Sequence, residues 1–156
     1  LARSQPCWTA MFVFGEEVSS PTDILRDAGD LGWAARNSSK PGRQGPESWV
    51  VQARPEWSRD HLEDAAPAVA DALLAELGRQ LGHDLPRPVT ATAHRWRYAM
   101  NAGIGLGALW NGRLALGVCG DWLLGPRVEC AWQSGHELAL TMLEPASAAA
   151  AQQPTT

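Results

Sequence analysis

The sequence predicts an α+β fold, a mixed or antiparallel sheet with helices on one side. Strand-like runs at residues 6–14, 31–37, 48–54 and 89–99 are short and set apart by loops rich in Pro and Gly. Helical periodicity is confined to residues 64–81 and a second stretch near the C-terminus. The resulting order is strand, strand, strand, helix, strand, strand, helix. It groups strands together, whereas a parallel α/β sheet would alternate them with helices.

Residues 6–14 (PCWTAMFVF) are rich in aromatic and β-branched types and stop at Gly15, which predicts a strand buried on both faces. Residues 19–30 read as loop, with a short strand or turn at 24–26. Residues 31–37 read as a second strand, running into the Pro/Gly loop 38–47. The run 48–54 (SWVVQAR) is a strand stopped by Pro55, because the residue before proline is pushed to extended geometry. In 64–81, Val69, Leu73 and Leu77 fall four apart, with Leu74 and Leu81 widening the stripe, so a helix follows. Asp64 stands near its N-cap and Gly82 ends it. Residues 89–99 alternate, with Thr92, His94, Trp96 and Tyr98 on one face and Ala93, Arg95 and Arg97 on the other. Residues 101–113 read as a Gly-rich loop or hairpin. The segment 114–140 then reads as a short apolar strand, a Gly-Asp turn and an amphipathic helix. That helix carries Val128, Ala131, Trp132, Gly135, Leu138, Ala139 and Met142 as one apolar stripe. From Pro145 the tail is low in complexity and reads as disordered.

At 156 residues the length fits one domain, and a 45% hydrophobic content with 19% charged residues places it among globular chains. A net charge of −4 argues against non-specific nucleic-acid binding, which needs a concentrated basic face. Lys40 is the single lysine, so Schiff-base chemistry would rest on one loop residue. Cys7, Cys119 and Cys130 are too few for a disulfide framework, and a reducing cytoplasm is the expected location. No apolar run approaches the roughly 20 residues needed to cross a bilayer. The chain opens on Leu1 directly before strand-like sequence, which suggests a start inside a longer protein.

Most motif-like features have a plain reading. Gly103-Ile104-Gly105-Leu106-Gly107 lacks the strand before and long helix after that a dinucleotide-binding loop needs, and reads as a flexible loop. Cys119, Cys130, His94 and His136 lack zinc spacing, and the two cysteines read as small buried residues. Ser134 lies outside any G-x-S-x-G frame. The strand HRWRY is either half buried with its arginines reaching solvent, or it presents its aromatics and arginines to a planar anionic ligand. Arg36, Asn37, Ser39, Lys40 and Arg43 form a polar cluster that reads as a solvated loop or an anion contact. The Gly120-Asp121 turn before a helix offers unpaired N–H groups and the positive helix end to an anionic ligand, and Asp121 can accept hydroxyls.

Four stretches together carry a more specific likeness. GVCGDWLLGPRVECAWQSGHELA resembles the C-terminal FAD-binding segment of flavin amine-oxidase-like enzymes. With WAARNSSKPGR, PEWSR and AHRWRYA in the same order, the chain resembles the renalase-like FAD-dependent oxidoreductases over residues 6–140. The family's N-terminal strand, G-x-G-x-x-G and helix unit has no counterpart here. The resemblance therefore implies a C-terminal half. Residues 1–113 would be a substrate-domain portion, and 114–143 a strand–turn–helix belonging to an FAD-binding Rossmann-like domain. Residues 144–156 would be a tail.

By this resemblance FAD is the cofactor. Gly120 and Asp121 would lie by its ribityl and pyrophosphate part. The helix start at Arg127, Val128, Glu129 and Ala131 would face the pyrimidine edge, where backbone N–H groups stabilise charge on the reduced ring. Trp122 and Trp132 either flank the ring or simply pack. The implied substrate is a dihydronicotinamide dinucleotide or an amine-type donor, with dioxygen as acceptor. Trp96 and Tyr98 would form its face, and Arg95 or Arg36 would contact its phosphate. No side chain is assigned an acid or base role, and no metal, nucleic acid or membrane partner is expected. The alternative is a stand-alone, non-catalytic binding module that keeps only the sheet.

Overall fold

The computed structural model describes residues 3–143, so the expected disordered tail lies outside the described residues. The fold is α+β, and the chain divides into two compact units, Gln5–Ala99 and a second that runs on from Met100.

The first unit is built on a five-stranded sheet. Its strands are β1 (Ser4–Val13), β2 (Ile24–Ala28), β3 (Leu31–Arg36), β4 (Ser48–Ala53) and β5 (Thr90–Asn101), in the order β2-β3-β4-β1-β5. β2 with β3, β3 with β4, and β4 with β1 pair antiparallel. The Val89 N–H donates to the Val13 carbonyl at 2.8 Å, which sets the start of β5 beside the end of β1. Sequence neighbours thus pair wherever a short connection allows it.

Helix α1 (Pro55–Asp60) follows β4 directly. Pro55 does end the strand, but it also opens this helix, where its fixed φ and missing N–H cost nothing. Helix α2 (Ala66–Leu81) buries Val69, Ala70, Leu73 and Leu77 against Trp8, Ala10, Phe12, Leu31, Ala34, Trp49 and Val51. Gly82 closes it at φ +82°, as expected of a left-handed C-cap. Asp64 does not cap α2. The N-cap is Ala65 with no side-chain cap, and the Asp64 carboxylate instead meets His61 Nδ1 at 2.7 Å. Glu76, almost fully buried, accepts from Gln80, Arg79 and the Asp30 N–H, tying α2 to the β2–β3 turn.

Alternation gives the sheet two unlike faces. Trp8, Ala10, Phe12, Trp49 and Val51 turn to α2, whereas Thr9, Met11, Val50 and Gln52 turn away from it. β1 was expected to be buried on both faces. It is sealed on one, and Met11 is 45% exposed on the other, because this unit supplies helices to only one side.

The second unit holds a hairpin, β6 (Leu109–Asn111) with β7 (Leu116–Val118), then α3 (Asp121–Leu124) and α4 (Val128–Leu143). Asn111 Oδ1 accepts from the Arg113 and Leu114 N–H groups and so nucleates the turn. Of the apolar stripe on α4, Val128, Trp132 and Met142 face outward, at 84%, 70% and 54% exposure, while Leu138 packs over Gly117. The buried positions of α4 are Cys130 and Ser134, and its side chains meet glycine backbone, Cys130 at Gly125, Glu137 at Gly107 and Leu138 at Gly117. Cys119 is exposed, contrary to its reading as a buried residue, while Cys130 is buried. Among the described residues no helix is long and apolar enough to cross a membrane.

Two measurements check this description. Leu73→Ala removes a fully buried side chain at the centre of the α2–sheet contact. It should cost about 2–5 kcal/mol in urea unfolding followed by circular dichroism. His83 presents Nδ1 to the Asp84 carbonyl at 3.0 Å and Nε2 to the Ser19 carbonyl at 2.7 Å. Both bonds require the doubly protonated ring, and these backbone bonds, Asp84 first, raise its pKa above the ordinary 6.5. A raised folded pKa means the stabilisation is complete below the unfolded value and is lost as pH rises through the folded one. The stability gap between wild type and His83→Ala should therefore narrow from acid to alkaline pH.

Candidate functional site

Two surfaces carry the residues singled out in the sequence, one in each unit. The register of the first unit lays out the sheet face that α2 leaves open. One cross-strand row is Arg26, Trp33, Gln52 and Thr9; the next is Ile24, Ala35, Val50 and Met11. Trp96 and Tyr98 lie on β5 at the sheet edge, 54% and 85% exposed. His94 meets Trp96 edge-on, with ring centroids 4.5 Å apart. This is a broad apolar and aromatic platform with a few amide and hydroxyl groups, suited to a flat ligand.

Arg95 belongs to the other face of the strand. Its guanidinium lies 5.7 Å from the Trp8 ring centroid and donates to the Leu62 carbonyl and to Glu63 at 2.9 Å. Arg97 donates to the same carboxylate at 3.0 Å. Hydrogen bonding from Arg97, with Arg95 beside it, holds the Glu63 carboxyl below its ordinary range.

Arg36, at the end of β3, is held elsewhere. Its Nε donates to both oxygens of Glu47 at 2.9 and 3.0 Å, and Nη2 donates to Glu17 and the Val18 carbonyl, both at 3.1 Å. Ser38 Oγ and Trp49 Nε1 also donate to Glu47, each at 2.8 Å. Bonding to Glu47 raises the Arg36 pKa further. The group lines a cleft of about 520 Å³ that also holds Glu16 and Asp23, so its field favours cations over a phosphate. β4 and β1 stand between β3 and β5, a separation of about 14 Å at ordinary strand spacing. The structure therefore brings Trp96 and Tyr98 together and leaves Arg36 and Arg95 apart from them. Sequence reasoning missed Thr9, Met11, Trp33, Val50 and Gln52. The signal was present in the alternation of 48–53, where Trp49, Val51 and Ala53 imply that Val50 and Gln52 face the other way.

In the second unit, Gly120 immediately precedes α3 and Asp121 is its first residue. Asp121 Oδ1 accepts from the Trp122 N–H at 2.8 Å, and Oδ2 accepts from Asn101 Nδ2 at 3.4 Å, so about half of its acceptor capacity is open. A Cβ at Gly120 would meet Trp122 Nε1 at 2.7 Å. α4 begins after Arg127, whose carbonyl accepts from Cys130 and Ala131. Among the described residues the Val128 and Glu129 N–H groups have no acceptor, and the side chains of Val128, Glu129 and Ala131 are exposed. That is a helix start with free donors. Trp132 stacks on His136, with centroids 5.1 Å apart and planes 6° from parallel.

The glycine loop before the hairpin is built, not slack. Gly103, Gly105 and Gly107 all have φ near +70°, and the Ile104 and Leu106 N–H groups converge on the Leu123 carbonyl at 3.3 and 3.1 Å. With the Gly103 N–H donating to Asn101 Oδ1 at 3.1 Å, three of its donors are taken by protein and no two adjacent ones are left for a phosphate cradle. Ser134, fully buried, accepts from the Gly120 N–H at 3.0 Å and donates to the Gly107 carbonyl.

Other chemistries lack a constellation. No group of three His, Cys, Asp or Glu among the described residues is placed to hold a metal ion. Burial pushes the Cys7 thiol up, away from the nucleophilic thiolate. A cleft of about 1000 Å³ beside α2 is an open groove lined by Asp71, Arg79, His83, Asp84 and their neighbours. No protein-family model matches the chain.

At Gly103 (φ +71°) a Cβ would stand 2.3 Å from the Leu124 carbonyl oxygen. Gly103→Ala should therefore destabilise by more than about 1 kcal/mol, visible as a lowered thermal midpoint.

Proposed function

We propose that this chain is the C-terminal portion of an FAD-dependent oxidoreductase of the renalase-like, amine-oxidase-like class. The observation that carries the reading is the Gly120–Asp121 turn leading to an α4 start with two free N–H donors, within the segment whose sequence resembles a flavin-binding one.

The residues present fit that cofactor. Gly120 keeps the backbone bare, Asp121 retains lone pairs for ribityl hydroxyls, and the α4 N-terminus directs donors and positive dipole outward. When bound, FAD would supply the redox chemistry, taking hydride from the donor and passing electrons to dioxygen. The chain's own part is to bind and orient. Val128 and Glu129 would present their N–H groups to the pyrimidine edge, with Ala131 leaving room beside it, and Trp96 and Tyr98 would stack the donor; the Arg127 N–H, expected to join them, already donates to the Gly125 carbonyl at 2.8 Å. A dihydronicotinamide dinucleotide or an amine-type substrate suits the flat aromatic surface of Trp96 and Tyr98. Arg36 is a poor phosphate ligand in this reading, since Glu17 and Glu47 already engage it. The membership of residues 114–143 in a Rossmann-like FAD domain, completed by an N-terminal half, is part of the same proposal.

A second reading has one observation of its own. β5 is a 12-residue edge strand, and an unpaired edge is a pairing surface for another strand. A non-catalytic binding module would use it. An in-frame strand, G-x-G-x-x-G and helix unit upstream in the gene separates the two, since only the enzyme needs it.

The full-length protein should purify yellow and consume oxygen with a dihydronicotinamide isomer. Asp121→Ala should lower its flavin content without altering its far-ultraviolet circular dichroism. A colourless full-length protein that takes up no added FAD would sink the flavoenzyme reading.

A further inference from the structure

Ser134 was set aside in the sequence because no nucleophile motif surrounds it, and its place in the fold gives it different work. The side chain has no exposure, and both capacities of its hydroxyl are used. It accepts from the Gly120 N–H at 3.0 Å and donates to the Gly107 carbonyl. These partners lie 14 and 27 residues away, so one atom joins the middle of α4, the residue before α3 and the end of the glycine loop. The loop is itself anchored through Ile104 and Leu106 to Leu123 of α3. At Gly107 the backbone runs at φ +67°, a conformation that residues with a side chain rarely adopt.

We propose that Ser134 is a positioning residue that sets the Gly120–Asp121 turn for the cofactor, with the 103–107 glycine loop as its brace. The proposal rests on the flavin reading above. A turn that receives a ligand must leave its outward groups free, so it can be held only from behind. Gly120 has no side chain to be held by, and its carbonyl is taken up locally by the Leu123 N–H at 3.1 Å, so its N–H is the handle left for α4. Ser134 takes that handle from the buried side. The backbone orientation of residues 120–121, and with it the aim of the Asp121 carboxylate, then follows from the register of α4. A serine is small enough to stand between two glycine backbones and still carries a donor and an acceptor; alanine fits but bonds neither partner, leaving a buried N–H and C=O unpaired.

The test uses the full-length protein with added FAD. Ser134→Ala is compared with Cys130→Ala, which trims a buried neighbour on the same helix face without touching the turn. Flavin affinity is read by fluorescence titration, and the bound flavin's visible absorption bands report its surroundings. Ser134→Ala should bind FAD about tenfold more weakly and with altered band shape, while Cys130→Ala keeps both at wild-type values. Should Ser134→Ala fail to fold, Ser134→Cys keeps a donor on the same Cβ, as a slightly larger thiol that weakens both bonds, and is read the same way. Wild-type affinity and bands in the Ser134 variants, or equal losses in Cys130→Ala, would overturn the positioning role alone. A wild-type protein that binds no FAD overturns it together with the flavin reading.

Discussion

A sheet has two faces, and the first unit supplies helices for one. Everything in Gln5–Ala99 follows from how that face is sealed. α2 lays Val69, Leu73 and Leu77 on Trp8, Phe12, Trp49 and Val51, and the buried Glu76 fastens the helix to the β2–β3 turn. Burying these side chains is worth about 1.5–3 kcal/mol each before entropy is charged against it. The opposite face is left as a platform because nothing in the unit competes for it. Its aromatics at Trp33, Trp96 and Tyr98 are the features that stability alone does not require.

The second unit is organised by close backbone approach instead of by bulk. Its glycines let α4 come near the loop and the turn, and the contact is then made by Cys130 and Ser134. Most of the large apolar residues of α4, Leu138 excepted, are on the outside. A hydrophobic stripe records which side chains are apolar; it does not record which face meets a neighbour with room for them.

The elements that could be read from the sequence are those in which one period dominates. The strands near 6–14, 31–37, 48–54 and 89–99 and the helix ending at Leu81 are where alternation and four-residue spacing place them. Short elements were less visible. β6 and α3 are 3 and 4 residues long, too brief for any period to register. α1 hides behind Pro55, whose role as strand terminator and helix opener is the same residue seen from two sides. For the site, the exposure of Trp96 and Tyr98 was legible in the alternation of β5, and the helix start at Val128 in the order of turn and stripe. The fate of the arginines was not. Arg36 and Arg95 look identical in sequence to free anion ligands, and only the fold reveals that Glu47 and Glu63 had reached them first.

Those engaged arginines bear on something else. β5 is long and stands at an edge, and it carries neither proline nor lysine, the usual deterrents to edge-to-edge association. It does carry Arg95 and Arg97, served by a single carboxylate, so one positive charge is left over on that strand face. Two copies paired antiparallel in the register centred on Trp96, one residue short of full overlap, would set Arg95 of each against Arg97 of the other. The deterrent here is electrostatic, and it weakens as the Debye length shrinks from about 10 Å at 0.1 M salt to about 3 Å at 1 M. Ionic strength, more than sequence hydrophobicity, is thus the variable on which the colloidal behaviour of this edge turns.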